Sequence, residues 1–162
     1  MTSVQVRLDP MTEADFQAYF KHMLVKYAAS NVTSGAWTAE DAAAKSAESL
    51  ARLLPDGLAT EDTRLCVARD AASGERVGIF WLNLRPRGTQ TAAFIYDIEV
   101  DAELRGRGYG RAVMLAGADL ARELGAVQIG LHVFAYNETA IALYTSLGFA
   151  TTDLVMSLSL SL

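Results

Sequence analysis

The chain's 162 residues, 51% of them hydrophobic and 20% charged, are enough to bury a core, which argues against disordered, collagen-like and disulfide-scaffold classes. Nineteen acidic against fourteen basic side chains leave a net charge of −5, which opposes binding of a polyanion by bulk attraction, and the single Cys66 cannot close an intramolecular disulfide. The opening MTSVQVRLDP lacks the basic flank and apolar stretch of a secretory signal, and runs such as Val77 to Leu84 fall short of the roughly 20 residues that span a bilayer. The expected setting is therefore cytoplasmic and reducing, with no nucleic acid and no membrane as partner.

With three prolines, no repeat and no Gly/Ser-rich linker, residues 1–162 read as one domain. Val4 to Leu8 alternates as a short strand. Thr12 then opens a helix to about Tyr27, carrying Phe16, Tyr19, Phe20, Met23 and Leu24 at helical spacing. The small, polar stretch Ala28 to Ala36 reads as a connection, and a second helix runs from Thr38 to just before Pro55. Arg64 to Arg69 and Val77 to Leu84 are strand-like, with Ser73-Gly74 between them, and predict an antiparallel hairpin. After a polar turn over Arg85 to Gln90 comes a strand from Ala92 to Val100. A helix from Ala112 to Leu124 ends at Gly125, a strand follows over Val127 to Val133, and a helix over Asn137 to Leu147 ends at Gly148. Finally, Leu154 to Leu162 alternates apolar residues with serine. The second half thus holds a strand–helix–strand crossover, which implies parallel strands with right-handed connectivity.

Between strand and helix lies Arg105-Gly106-Arg107-Gly108-Tyr109-Gly110-Arg111. Such a turn is an anion cradle, because the first helical N–H groups lack partners and glycine lets the backbone approach a diphosphate at positive φ. Three arginines add local positive charge to an acidic chain. A Walker loop is excluded by the missing Gly-Lys-Ser/Thr, and the dinucleotide fingerprint fails because its last glycine falls on Arg111. A plain structural turn remains the competing reading.

Arg105, Gly108 and Gly110 match Arg/Gln-x-x-Gly-x-Gly/Ala, and Asn137 through Tyr144 with Gly148-Phe149 match Asn-x-x-Ala-x-x-Leu-Tyr…Gly-Phe. On these two blocks the sequence resembles the GNAT superfamily of acyl-CoA-dependent N-acyltransferases over residues 92–150. The resemblance implies an α/β (α+β) fold of one domain, a mixed central sheet flanked by helices, with splayed parallel strands forming an acyl-CoA cleft in the 92–150 core. It implies acetyl-CoA as co-substrate, no metal, and an amine acceptor, either a small molecule or a protein amine. A homodimer is permitted. The implied cofactor-binding residues are Ile98, Glu99, Val100, Arg105, Gly106, Arg107, Gly108, Tyr109, Gly110, Arg111, Asn137 and Tyr144, with the Val100 N–H as oxyanion donor.

Acyl transfer to an amine needs a neutral nucleophile, a polarised carbonyl and a proton for the departing thiolate. By resemblance Tyr144 is the general acid; with an ordinary pKa near 10 it stays protonated at neutral pH, yet on spacing alone it could equally be a core-edge tyrosine. Asn137 doubles as a helix N-cap. The base candidates are Glu99, then His132, with Asp97 sharing one side of the strand with Glu99 by alternation. The expected function is direct transfer of an acetyl or short acyl group to a primary amine in a ternary complex; a non-catalytic acyl-CoA sensor is the alternative. Cys66 reads as an inert buried thiol, which sets aside an acyl-cysteine route, and His22 as surface or core. The acceptor pocket is expected among the first two helices, their connection Ala28 to Trp37 and the turn Arg85 to Gln90, with no specificity residue singled out.

Overall fold

A computed structural model describes residues 3–161, and the chain divides into two compact units, Met1–Leu131 and His132–Leu162. The first unit begins with β1 (Val6–Pro10) and α1 (Glu13–Thr33). A capping box starts α1: Asp15 N–H donates to Thr12 Oγ1 at 3.1 Å, and Thr12 N–H donates to Asp15 Oδ2 at 2.9 Å. The helix runs to Thr33, beyond the end expected near Tyr27, because Ala28 to Thr33 are tolerated in a helix and Asn31 donates from its amide to Tyr27 O at 2.9 Å. The connection to α2 (Ala42–Leu53) is thus shorter than the small, polar composition of 28–36 suggests.

β2 (Thr63–Asp70), β3 (Arg76–Arg87) and β4 (Gln90–Val100) form an antiparallel meander with β1 at its edge. The expected turn over 85–90 shrinks to Gly88-Thr89, because β3 continues through Pro86. Pro86 is accommodated there since the β2 ladder stops at Thr63↔Asn83, so its missing N–H faces no β2 partner. After a short 3-10 turn, α3 (Tyr109–Glu123) crosses to β5 (Ala126–Leu131), which pairs parallel with β4. The result is a mixed five-stranded sheet ordered β1-β2-β3-β4-β5.

Neighbouring residues on β3 show the two layers. Trp81 meets Tyr19 of α1 edge-to-face at 6.5 Å between ring centroids, while Phe80 lies under Gly117 of α3. Met11, Phe16, Met23, Leu50, Leu54 and Leu65 complete the core beneath α1 and α2. On the α3 side Val113 is fully buried, and Gly117 is required because a Cβ there would run into the Phe80 ring.

The second unit holds α4 (Glu138–Ser146), capped by Asn137 as expected: Asn137 Oδ1 accepts from Ala140 N–H at 3.3 Å. Residues 149–161 carry no strand, contrary to the alternation over Leu154–Leu162, whose last residue lies outside the described residues. Among the described residues no helix is long and apolar enough to cross a membrane.

Candidate functional site

The β3–β4 register advances from Leu82↔Ile95 to Trp81↔Asp97, which leaves Tyr96 as an extra residue on β4. A bulge bends its strand and interrupts pairing. The parallel β4–β5 ladder ends at Ile95↔Leu131, beside that bulge, so residues 96–100 of β4 continue with no strand on their far side among the described residues. The parallel pairing thus stops beside the bulge, short of the C-terminal end of β4.

The orientation of the open backbone follows from one hydrogen bond. Asp101 N–H donates to Val77 O on β3 at 2.8 Å. Because successive backbone groups alternate sides along a strand, the N–H and C=O of Ile98 and Val100 face the open edge, and those of Glu99 face β3. Consistent with this, Val100 O accepts from Arg105 Nε at 3.1 Å, and a Cβ on Gly78 of β3 would collide with the Glu99 carbonyl oxygen.

On the α1 side of the same stretch, five ionisable groups from two elements converge. Asp97 Oδ2 accepts from the Tyr19 hydroxyl at 2.7 Å, and Lys26 Nζ donates to Glu99 Oε1 at 2.7 Å and to Asp97 Oδ1 at 3.4 Å. His22 Nε2 lies 3.3 Å from Glu99 Oε1 and 3.2 Å from Oε2. Burial raises the Asp97 carboxyl above its ordinary pKa, only partly offset by Lys26 and the Tyr19 hydroxyl. For Glu99 burial also pushes upward, but hydrogen bonding and attraction from Lys26, with His22 adding to them, outweigh it and hold the carboxyl below its usual value. Lys26 in turn is raised, since the two carboxylates overcome its burial. Burial with the Asp97 charge nearby also keeps the Tyr19 phenol protonated.

A cleft of about 310 Å³ opens beside this cluster, lined among others by Tyr19, His22, Arg76, Glu99, Val100 and Arg105. It therefore brings a held-ionised carboxylate and the end of the open β4 backbone into one space. Sequence reasoning paired Asp97 with Glu99 but passed over Lys26 and left His22 as surface or core. The usable signal was the i, i+3, i+7 spacing of Tyr19, His22 and Lys26, which sets all three on one helical face.

The glycine-rich turn enters α3 as expected. Gly106 and Gly108 have φ of +77° and +89°, and Gly108 is the N-cap, with no side-chain cap above it. The first intrahelical bond runs from Ala112 N–H to Gly108 O at 3.2 Å, so the N–H groups of Tyr109 and Gly110 open the helix without an intrahelical acceptor. Two expected ligand-facing side chains are engaged elsewhere: the Tyr109 hydroxyl donates to Asp70 Oδ2 at 2.7 Å, and Arg105 holds the Val100 carbonyl. Arg107 and Arg111 flank the turn. His132, Asn137 and Tyr144 belong to the second unit, where the His132 ring meets Phe134 at 5.0 Å and the Tyr144 ring meets Phe149 at 5.8 Å. His132 lies just past β5 rather than within it. Cys66 is buried on β2, and burial pushes its thiol up to about 11.

Comparison with known proteins follows the same lines. A family model described as the acetyltransferase (GNAT) family matches residues 27–149. YdgE and YycN of Bacillus subtilis (strain 168), both described as uncharacterized N-acetyltransferases, are each 37% identical to this chain, over 92% of it and 94% of YdgE, and over 94% of it and 97% of YycN. The crystal structure of Bacillus subtilis YycN superposes with a TM-score of 0.88 at 36% identity, covering 97% of this chain and 99% of that one.

Proposed function

Because the chain belongs to the acetyltransferase (GNAT) family, we propose that it moves an acetyl, or another short acyl, group from acetyl-CoA to a primary amine by direct transfer in a ternary complex. The observation that carries this reading is the β4 stretch 96–100, which pairs with β3 but has no strand on its far side among the described residues, presents the Ile98 and Val100 backbone beside Glu99, and leads through a short turn into the glycine-capped start of α3.

The glycine turn, through the Tyr109 and Gly110 N–H groups with Arg107 and Arg111 alongside, receives the coenzyme's diphosphate. Ile98 and Val100 hydrogen-bond the pantetheine arm as a neighbouring strand would, and the Val100 N–H receives the thioester carbonyl oxygen. One preorganised donor of this kind lowers a barrier by about 3–4 kcal/mol. Glu99, kept ionised by Lys26, takes the proton from the acceptor ammonium, directly or through water, and the neutral nitrogen then attacks the carbonyl carbon. As the tetrahedral adduct collapses, the C–S bond breaks, Tyr144 gives its phenolic proton to the departing sulfur, and the second proton of the attacking nitrogen passes through water to restore the phenol, leaving a neutral amide. Glu99 is preferred over His132 because it lies in the cleft with Val100. A lone buried Cys66 suits the reducing cytoplasm, where we place the protein.

The test is incubation with acetyl-CoA and a panel of amines, reading free thiol and the acylated product by mass spectrometry. Amine-dependent thiol release with a product heavier by one acetyl group is expected. Stabilisation by CoA without thiol release across the panel would overturn catalysis in favour of an acyl-CoA sensor.

A further inference from the structure

Arg85 on β3 is held in place without a carboxylate. Its guanidinium carbon stands 4.1 Å from the centroid of the Phe94 ring and 5.2 Å from that of Tyr96, and Nη2 donates to the Tyr96 hydroxyl at 2.7 Å. Arg7, Arg69, Arg76 and Arg122 each meet an aspartate, but no acidic side chain lies within ion-pair distance of Arg85 among the described residues. The Tyr96 bond uses one of the five N–H donors that a guanidinium carries, and the side chain is exposed, so donors remain for a ligand. The Tyr96 hydroxyl, having accepted from Arg85, still has its own proton to give. Arg87, two residues on, falls on the same side of β3 by alternation and likewise has no carboxylate partner among the described residues. A planar fork stacked on two rings loses little freedom on binding, and donors gathered in this way recognise anionic oxygens.

Ring contacts place the fork on the face that carries Glu99. Trp81 meets Tyr96 at 4.9 Å and Tyr19 of α1 at 6.5 Å between centroids, and Tyr19 in turn donates to Asp97. Arg85 therefore lies on the α1 side of the sheet, as the Lys26–Glu99 pair does. From Tyr96, where the guanidinium is bonded, to Glu99 is three residues of strand, or about 10 Å.

Resting on the catalytic reading above, which puts the reacting nitrogen at Glu99, we propose that Arg85 determines acceptor specificity by binding an anionic oxygen group, carboxylate or phosphoryl, that the acceptor carries about 10 Å from its amine. An acceptor with a second ammonium at that distance meets a like charge and is rejected.

The test uses the full chain and four matched amines: 8-aminooctanoate, 8-aminooctylphosphonate, 8-aminooctanamide and 1,8-diaminooctane. At least one anionic amine is expected to exceed the amide by about tenfold or more in kcat/KM, with the diamine last, and the better of the two anions identifies the source as carboxylate or phosphoryl. In Arg85→Gln the preference is expected to fall towards unity through KM rather than kcat, and Arg85→Lys, which keeps the charge without the fork, to recover part of it. Calorimetric titration of the same amines, with CoA present to occupy the glycine turn, reads the preference without turnover. Failure of the anionic amines to outperform the amide, or a preference that survives Arg85→Gln, would overturn the proposal; amine-dependent thiol release in the same assay would show that catalysis stands without it. An anion preference in binding that Arg85→Gln abolishes, with no thiol released from any amine, would support the Arg85 site and overturn catalysis instead. Should Arg85→Gln fail to fold, Tyr96→Phe, which removes the hydroxyl bonded to Arg85, decides: a reduced preference supports the proposal and an unchanged one overturns it.

Discussion

Lys26→Met keeps most of the unbranched stem and removes the cation shared by Asp97 and Glu99. Lys26 Nζ stands 2.7 Å from Glu99 Oε1 and 3.4 Å from Asp97 Oδ1. Two unit charges so placed attract by about 5–6 kcal/mol at an effective dielectric near 20 and by about 1.5 kcal/mol in bulk water. The Lys26 side chain is 39% exposed, so the screened end of that range governs, at about 1–2 kcal/mol. The sign follows from Glu99. Its folded pKa lies below the unfolded one, so the stabilisation is full above the unfolded pKa and disappears as pH falls through the folded pKa. In Lys26→Met, burial and Asp97 act on Glu99 with His22 as the remaining basic neighbour, and the Glu99 titration moves upward. The variant loses about 1–2 kcal/mol at neutral pH, and the gap to wild type narrows on acidification. Carbon-13 titration of the side-chain carboxyls measures the first effect, and urea unfolding at neutral and acidic pH the second. A Glu99 that titrates identically in both proteins, or a stability gap indifferent to pH, would refute the assignment of Lys26 as the group that holds Glu99 ionised.

Gly78→Ala sets a Cβ against the Glu99 carbonyl, a backbone atom that yields only if β3 and β4 separate; a loss of about 2 kcal/mol or more is expected, with weakened CoA binding, and an unchanged denaturant midpoint would refute the close approach. Cys66, 5% exposed with its thiol pushed up to about 11, should resist alkylation at neutral pH until the chain unfolds, and Cys66→Ala should keep wild-type turnover; rapid labelling of the native protein would contradict both. Tyr144→Phe should slow turnover by about a hundredfold or more with CoA affinity nearly unchanged, and a wild-type rate would remove Tyr144 from the reaction.

Much of the architecture is readable locally. Alternation marks β2, β3 and β4; the positive φ of Gly106 and Gly108 is what a glycine-rich strand-to-helix turn demands; and Asn137 caps α4 because a short amide reaches the N–H three residues on. Errors gathered where composition and environment disagree. Asn31 and Ser30 look like loop residues yet extend α1, and Pro86 looks like a strand terminator yet lies in β3 where β2 has already stopped pairing.

Local chemistry, then, determined the elements and the glycine turn, since each depends on interactions within a few residues of itself. Packing decided the rest. The Tyr19–Asp97 and Lys26–Glu99 bonds join residues 78 and 73 positions apart, and no local pattern records which helix face will meet which strand. The ionisation of Glu99 follows from that meeting, because burial and a neighbouring cation are properties of where a side chain ends up. The β4–β5 ladder likewise ends beside one extra residue, Tyr96, whose bulge becomes visible only when β4 is laid against β3.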